Sequence, residues 1–132
     1  MRWIGLVCGI LSLLACDDRI YGEVAGGTEV EGGLAGVRSI VEGQCLGCHG
    51  ASSALGGLDL ETDLIAATVG VVGQYQIPIV RPGAPEDSML YLVTTNTQPD
   101  GTSGEMPPGS GGLDPSATDV IFDWIAGGAG SE

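Results

Sequence analysis

The chain has no lysine and only one histidine, and its 132 residues carry four basic side chains against 17 acidic ones. Its formal net charge is −13 at pH 7. Nucleic acids and anionic lipid surfaces bind proteins through Lys and Arg, so this charge excludes both as electrostatic partners. It favours instead a protein partner with a positive docking surface, although acidity also keeps proteins soluble.

The chain also has no apolar run long enough to span a bilayer. Arg2 precedes a short apolar segment, 3–14, and Ala15 and Cys16 follow it. A positive start, a short apolar stretch and small residues at its end are typical of a secretory signal. The ending resembles a bacterial lipobox, which predicts a signal peptide over residues 1–15, cleavage before Cys16 and lipid on Cys16. The alternative for Cys16 is a free or disulfide-bonded cysteine beside an ordinary cleavage site.

Cysteine is scarce, with four in the whole chain. Cys8 lies within the predicted signal and Cys16 is its predicted lipid acceptor, so only Cys45 and Cys48 remain. His49, the single histidine, follows them directly in the segment Cys-Leu-Gly-Cys-His. A structural zinc site needs four ligands, which this inventory does not supply. A thioredoxin-like site needs a βαβ neighbourhood, which the sequence does not show. A disulfide between the two cysteines, or a chance match, leaves His49 unexplained.

The segment has the spacing of a c-type haem attachment site. Cys45 and Cys48 lie on one face of a helical turn, so both can reach the vinyl groups along one porphyrin edge. His49 then lies below the ring, where its imidazole can bind iron. Bacteria attach this haem outside the cytoplasm, and the predicted signal would export the chain to that location. The sequence therefore predicts one covalently bound haem c and a location in the bacterial cell envelope, lipid-anchored and exposed to the periplasm or the outer surface.

Two regions follow the predicted cleavage site. Residues 16–35 are rich in Gly and Glu and lack apolar periodicity, which predicts a flexible tether. Residues 36–132 predict a single domain with a thin core, because aromatic residues are few and 24 glycines are spread along the chain. Small domains of this kind often need an additional stabilising cross-link or bound group, and a covalent haem provides one.

The predicted secondary structure of this domain is helical. Apolar spacing predicts helices over 36–46, 61–69 and 86–93. The last helix is the clearest: Asp114 caps it, Pro115 is its first residue, and an apolar face including Val120, Ile121 and Trp124 runs along it before two glycines end it. No segment shows the pattern of a sheet.

A second iron ligand must come from a residue other than histidine, because His49 is the only one. The mature chain offers Met89 and Met106. Met89 has a helical context, in which a methionine more often fills the core. Met106 lies in a loop, and Pro107 and Pro108 restrict the backbone that presents it. We expect Met106 to be the sixth ligand and Met89 to fill the core; an exposed Met106 without a partner is the alternative. A thioether ligand raises the reduction potential of the iron.

In their order along the chain, five segments resemble bacterial class I-like cytochrome c domains, especially the planctomycete-type group. They are 45–49, 56–60, 82–90, 106–108 and 124–129. The resemblance implies an all-α fold wrapped around one haem, in which the first and last helices cross. It also implies His49 as the proximal and Met106 as the distal ligand, and places Val37, Ile40 and Val41 near Ile121, Trp124 and Ile125.

Two weaker expectations concern the haem surroundings. Arg81 precedes a Pro-Gly turn and is a candidate partner for a haem propionate, with a solvated surface arginine as the alternative. Trp124 is expected in the core rather than at the porphyrin edge.

These features predict an electron carrier rather than an enzyme. Its partner would be a redox protein with a positive docking surface. A haem protein that binds gas or acts as a weak peroxidase is one alternative, since glycines around Met106 could leave the sixth position labile. An anchored electron-transfer subunit of a larger oxidoreductase complex is another.

Overall fold

The computed structural model describes residues 32–132. The predicted signal peptide, the predicted lipidation site Cys16 and most of the predicted tether lie outside these residues. Across 32–132, no helix has the length and apolarity needed to cross a membrane.

Five helices build the described part of the chain. They are α1 (Gly33–Gln44), α2 (Leu46–His49), α3 (Leu64–Thr68), α4 (Met89–Thr95) and α5 (Pro115–Ala126), with 3₁₀ turns at Leu55–Gly57 and Pro85–Asp87. Between α3 and α4, isolated bridges pair Val69 with Val80 and Val72 with Pro78. No full strand forms within residues 32–132, and the predicted all-α fold class is confirmed.

The core lies between the first and last helices. Val37 and Ile125 are fully buried, and Ile121 and Trp124 are nearly so. These side chains belong to one apolar cluster, and α1 and α5 pack directly against each other. The packing implied by the family resemblance is thus confirmed, with Trp124 in the core. Its indole Nε1–H donates to the Gly130 carbonyl at 2.9 Å, which satisfies the one polar atom of this buried side chain.

The sequence predicted α5 well because its ends are chemically marked. The Asp114 carboxylate accepts hydrogen bonds from the backbone N–H groups of Ser116 at 3.0 Å and Ala117 at 3.2 Å. Pro115 is the first helical residue, where its missing N–H costs nothing. The rings of Tyr91 and Phe122 pack in a T-shaped arrangement with centroids 5.4 Å apart, which ties α5 to α4.

Other helix boundaries differ from the predicted ones. The helix expected over 36–46 begins at Gly33 and ends at Gln44, and α2 then carries the haem motif as a separate turn. The helix expected over 61–69 begins only at Leu64, because Asp59 accepts hydrogen bonds from the backbone of Glu61 and Thr62 and holds them in a turn.

The helix expected over 86–93 is interrupted at Ser88. This fully buried residue directs its hydroxyl back to the Ala84 carbonyl at 2.8 Å and accepts a hydrogen bond from the Arg81 N–H at 2.8 Å. The chain therefore forms a short 3₁₀ turn before Ser88, and α4 begins after it at Met89.

Candidate haem-binding site

A cavity of about 320 Å³ opens beside α2. Its walls are mainly apolar, and none of its lining residues is Asp, Glu, Lys or Arg. The residues that line it are Cys45, Cys48, His49, Leu55, Gly56, Leu58, Leu60, Gly73, Gln74, Tyr75, Ile79, Met89, Leu90, Val93, Thr94, Ser103, Met106 and Pro108. The four residues that the sequence predicts for haem attachment and iron binding thus come together at one site. Its volume and apolar lining are typical of a cofactor pocket.

The two cysteines of the motif differ in exposure. Cys45 is half-buried at the junction of α1 and α2, whereas Cys48 is exposed. Burial raises the pKa of the Cys45 thiol above its ordinary value because it disfavours the thiolate, and the neighbouring Cys48 raises it further. Both are free thiols, so both are available for thioether bonds.

His49 ends α2 and is held by its backbone. Its N–H donates to the Cys45 carbonyl at 2.9 Å, and its carbonyl accepts from the Leu60 N–H at 2.8 Å. The Nδ1 atom is buried and has no hydrogen-bond partner among residues 32–132. A buried imidazole nitrogen without a partner, in an apolar cavity that two thiols and a thioether also line, is a donor set that a covalent haem can use. The residues present fit the cofactor.

Gly50 allows the chain to turn directly after His49. A Cβ atom at this position would lie 2.7 Å from the Leu46 carbonyl oxygen and 3.0 Å from Oε2 of Glu61. The same Glu61 oxygen accepts a hydrogen bond from the Ala51 N–H at 2.9 Å. The absence of a side chain at Gly50 therefore lets the following loop fold back close to α2.

Met106 reaches the cavity from the glycine-rich loop 104–113, which is fastened to α4. The Met106 N–H donates to the Val93 carbonyl at 2.9 Å, and the Leu113 N–H donates to the Thr94 carbonyl at 2.8 Å. The Met106–Pro107 peptide bond is cis. A small adjoining cavity of about 60 Å³ is also lined by Met106 and His49. Although the loop is rich in glycine, its backbone is bonded to α4 at Met106 itself and again at Leu113.

Residues 45–110, half of the chain, match the family described as Planctomycete cytochrome C. The chain belongs to the planctomycete cytochrome c family. Membership implies covalently bound haem c and haem-based electron transfer, and indicates a protein located outside the cytoplasm. No curated protein and no solved structure matches the chain.

The structure of this cytochrome also shows residues in the cavity wall that the sequence did not predict there. Met89 lines the cavity instead of joining the core cluster. Gln74, Tyr75 and Ile79 reach the wall from the segment between α3 and α4. Backbone hydrogen bonds within 68–80, and those that Met89 and Leu90 donate to Pro78 and Ile79, place this segment. The sequence shows no periodic pattern for it, and the absence of charge from residue 64 to residue 80 is its one visible signal.

Arg81 lies at the surface of this cytochrome rather than on the cavity wall. Its guanidinium donates to Asp87 at 3.2 Å, and both side chains are more than half exposed. Such an exposed ion pair contributes little to stability. The contact between Arg81 and a haem propionate stays a prediction.

Proposed function

We propose that this protein is a mono-haem electron carrier in which Cys45 and Cys48 hold the haem and its iron lies between His49 and Met106. The observation that supports the proposal is the convergence of these four side chains on one apolar cavity. When bound, the haem supplies a one-electron ferric–ferrous couple. An imidazole on one side and a thioether on the other favour the ferrous state and a raised potential.

The wall residues serve this role by excluding water and charge. Leu58, Leu60, Ile79 and Leu90 contribute apolar surface to the cavity. An apolar surrounding limits the solvent rearrangement that accompanies a change of charge at the iron. Electrons would enter and leave at the edge near the exposed Cys48.

Enzyme chemistry at the iron has less support. A peroxidase requires a proton-transfer group beside the substrate position, and no carboxylate, lysine or arginine lines the cavity. The hydrogen bond from Met106 to Val93 also supports a filled sixth position rather than a labile one. We therefore favour the carrier over a gas sensor or peroxidase.

The cellular setting completes the proposal. The lipobox-like ending before Cys16 supports cleavage there and a lipid anchor in the cell envelope, with residues 16–35 as the tether. A larger oxidoreductase complex would use the same anchored domain as a subunit. Copurification of the full chain from membranes distinguishes a free carrier from such a subunit.

The decisive experiment removes the proposed sixth ligand. We expect the wild-type domain, expressed from about residue 17 with haem-attachment machinery, to show a low-spin spectrum with a weak far-red sulfur–iron band. Carbon monoxide should leave its reduced spectrum unchanged. Met106→Ala should lose the band, bind carbon monoxide and have a lower potential, because the thioether is gone.

Met89→Leu is the matched control, since it removes the other thioether of the cavity and retains its volume. It should keep the far-red band. A Met106→Ala protein with an unchanged potential and no carbon monoxide binding would show that Met106 is not a ligand.

A further inference from the structure

One aspartate of the chain directly precedes a glycine. Asp100–Gly101 is the one Asp-Gly pair in the sequence, and both residues are exposed in the loop between α4 and Met106. The backbone nitrogen that follows an aspartate can attack the side-chain carboxyl group and close a five-membered imide. A following glycine places no side chain in the path of that attack. The pair is therefore suited to a spontaneous change of the backbone.

The structure around the pair leaves both reacting groups free. The Thr102 N–H donates to the Pro99 carbonyl at 3.3 Å, so residues 99–102 form a β-turn with Asp100 and Gly101 at its centre. Gly101 has a φ of +82°, as the third residue of a type II turn requires. Within residues 32–132, neither the Gly101 N–H nor the Asp100 carboxylate has a hydrogen-bond partner. A Cβ atom at Gly101 would meet no neighbour within 4 Å, so the loop has space for the ring.

Most other aspartates described within 32–132 are held by hydrogen bonds or by a helix. Three of them accept hydrogen bonds from backbone N–H groups: Asp59, Asp63 and Asp114. Two more lie within α5, where the N–H group of the following residue belongs to the helix: Asp119 and Asp123. A carboxylate or amide that is engaged in this way must be released by local opening before an imide can form.

Asp87 provides the closest comparison, because the small residue Ser88 follows it. Ser88 is fully buried, and its N–H donates to the Pro85 carbonyl at 3.0 Å. The Asp87 carboxylate also accepts a hydrogen bond from Arg81 at 3.2 Å. The two pairs thus resemble each other in sequence and differ in the structure that surrounds them.

We propose that Asp100–Gly101 is a site of spontaneous isomerisation to isoaspartate, and that this conversion weakens the hold of the fold on Met106. The Gly101 nitrogen bonds to the side-chain carboxyl carbon of Asp100, and one water leaves, formed from the amide proton and the carboxyl hydroxyl group. A water then adds to one of the two imide carbonyls. Addition at the main-chain carbonyl breaks its bond to the Gly101 nitrogen, so that the chain continues through the side-chain carboxyl carbon. No electron is transferred.

The effect on Met106 follows from the two ends of the loop, which are both bonded to α4. The Thr97 N–H donates to the Leu92 carbonyl and the Met106 N–H donates to the Val93 carbonyl, each at 2.9 Å. An isoaspartate adds one carbon to the main chain between these two fixed points and removes the geometry of the 99–102 turn. The longer loop holds Met106 less firmly. This second part rests on the proposed function, in which Met106 is the sixth ligand.

The test ages the haem-loaded protein for several weeks at body temperature in water enriched in heavy oxygen. Peptide mapping by mass spectrometry then locates the label, because each passage through the imide leaves one heavy oxygen in the product. Enzymatic methylation counts the isoaspartate separately. We expect both signals at Asp100, roughly tenfold or more above those at Asp87, because attack at Asp87 requires the Ser88 hydrogen bond to break and a buried residue to open.

Asp100→Glu is the matched control. It keeps the charge at this exposed position, but its longer side chain would have to close a larger ring, which forms far more slowly. During ageing, the wild type should lose the far-red sulfur–iron band in proportion to its isoaspartate content. The Asp100→Glu protein should retain the band over the same period.

The possible failures are distinguishable. Isoaspartate that is absent at Asp100, or equally abundant at Asp87, overturns the whole proposal. Isoaspartate at Asp100 with no greater loss of the band than in Asp100→Glu overturns the effect on Met106 alone. A fresh wild-type protein without the band contradicts the proposed ligation by Met106, and the heavy-oxygen label still decides whether Asp100–Gly101 isomerises.

Discussion

Gly112 occupies a backbone position that other residues cannot fill without strain. Its φ is +104°, and a Cβ atom would lie 2.5 Å from the Thr94 carbonyl oxygen. That carbonyl accepts the Leu113 hydrogen bond, which fastens the Met106 loop to α4. The absence of a side chain at Gly112 therefore lets the loop that carries Met106, the predicted distal ligand, approach α4 closely.

We predict that Gly112→Ala lowers the free energy of unfolding by about 1–3 kcal/mol and weakens the far-red sulfur–iron band. Gly111→Ala is the control, because Gly111 also has a positive φ, +79°, but has no neighbour within 4 Å. Denaturant unfolding and the absorption spectrum check both variants. Equal losses in the two proteins would mean that backbone strain, and not the contact with Thr94, sets the cost.

At the scale of the elements, the α1–α5 pair and the cavity use separate side chains. Ile125 and Val37 are fully buried in the helix pair and do not line the cavity. The helix pair therefore supports the domain, while α2, α4, the segment between α3 and α4, and the Met106 loop shape the site.

This division predicts that Ile125→Ala lowers the free energy of unfolding by about 2–5 kcal/mol without changing the axial ligands of the iron. Guanidinium unfolding measures the first effect, and the far-red band and potential measure the second. Val120→Ala, at a half-buried position of the same helix, should cost less. A shifted potential in folded Ile125→Ala would mean that the helix pair and the site are coupled.

The elements with local chemical marks could be predicted from the sequence. Asp114 and Pro115 mark the start of α5, and the apolar spacing in α1 identifies its buried face. The break at Ser88 and the delayed start of α3 were missed, because side chains such as Asp59 compete for backbone groups in ways that periodicity does not show. The two isolated bridges between α3 and α4 could not be predicted, because the residues that they pair show no alternating pattern.

The site was predictable to a similar degree. Cys45, Cys48 and His49 form a contiguous motif, and the two prolines after Met106 indicate a restricted loop that presents its side chain. Met89 and Tyr75 reach the cavity only through tertiary placement. Tertiary contacts of this kind leave no trace in local spacing, so a core role for Met89 was the natural but incomplete expectation.

On the scale of the whole molecule, 17 acidic residues and four basic ones make self-repulsion a general cost of folding. The one ion pair between side chains described within 32–132, Arg81 with Asp87, is exposed and offsets little of it. Charge should therefore affect the stability of this domain mainly through the net charge and not through individual ion pairs.

We predict that raising NaCl from 10 to 150 mM at pH 7 increases the melting temperature, because the Debye length falls from about 30 Å to about 8 Å and screens the repulsion. Thermal unfolding followed by circular dichroism measures the change. Near pH 4, where Asp and Glu approach their ordinary pKa values, the same salt step should have a smaller effect. A lower melting temperature in salt at pH 7 would mean that attractive pairs dominate.

The buried indole of Trp124 is an intrinsic fluorescent probe of the distance between this residue and the haem. The chain has two tryptophans, and the other, Trp3, lies in the predicted signal peptide. Indole emission overlaps haem absorption, so energy passes from one to the other at short range. Trp124 is held in the core by its hydrogen bond to Gly130. It lies near the C-terminus, whereas the haem motif lies near the start of the domain sequence. Its fluorescence should be quenched in the folded holoprotein and should rise as the two ends of the domain separate.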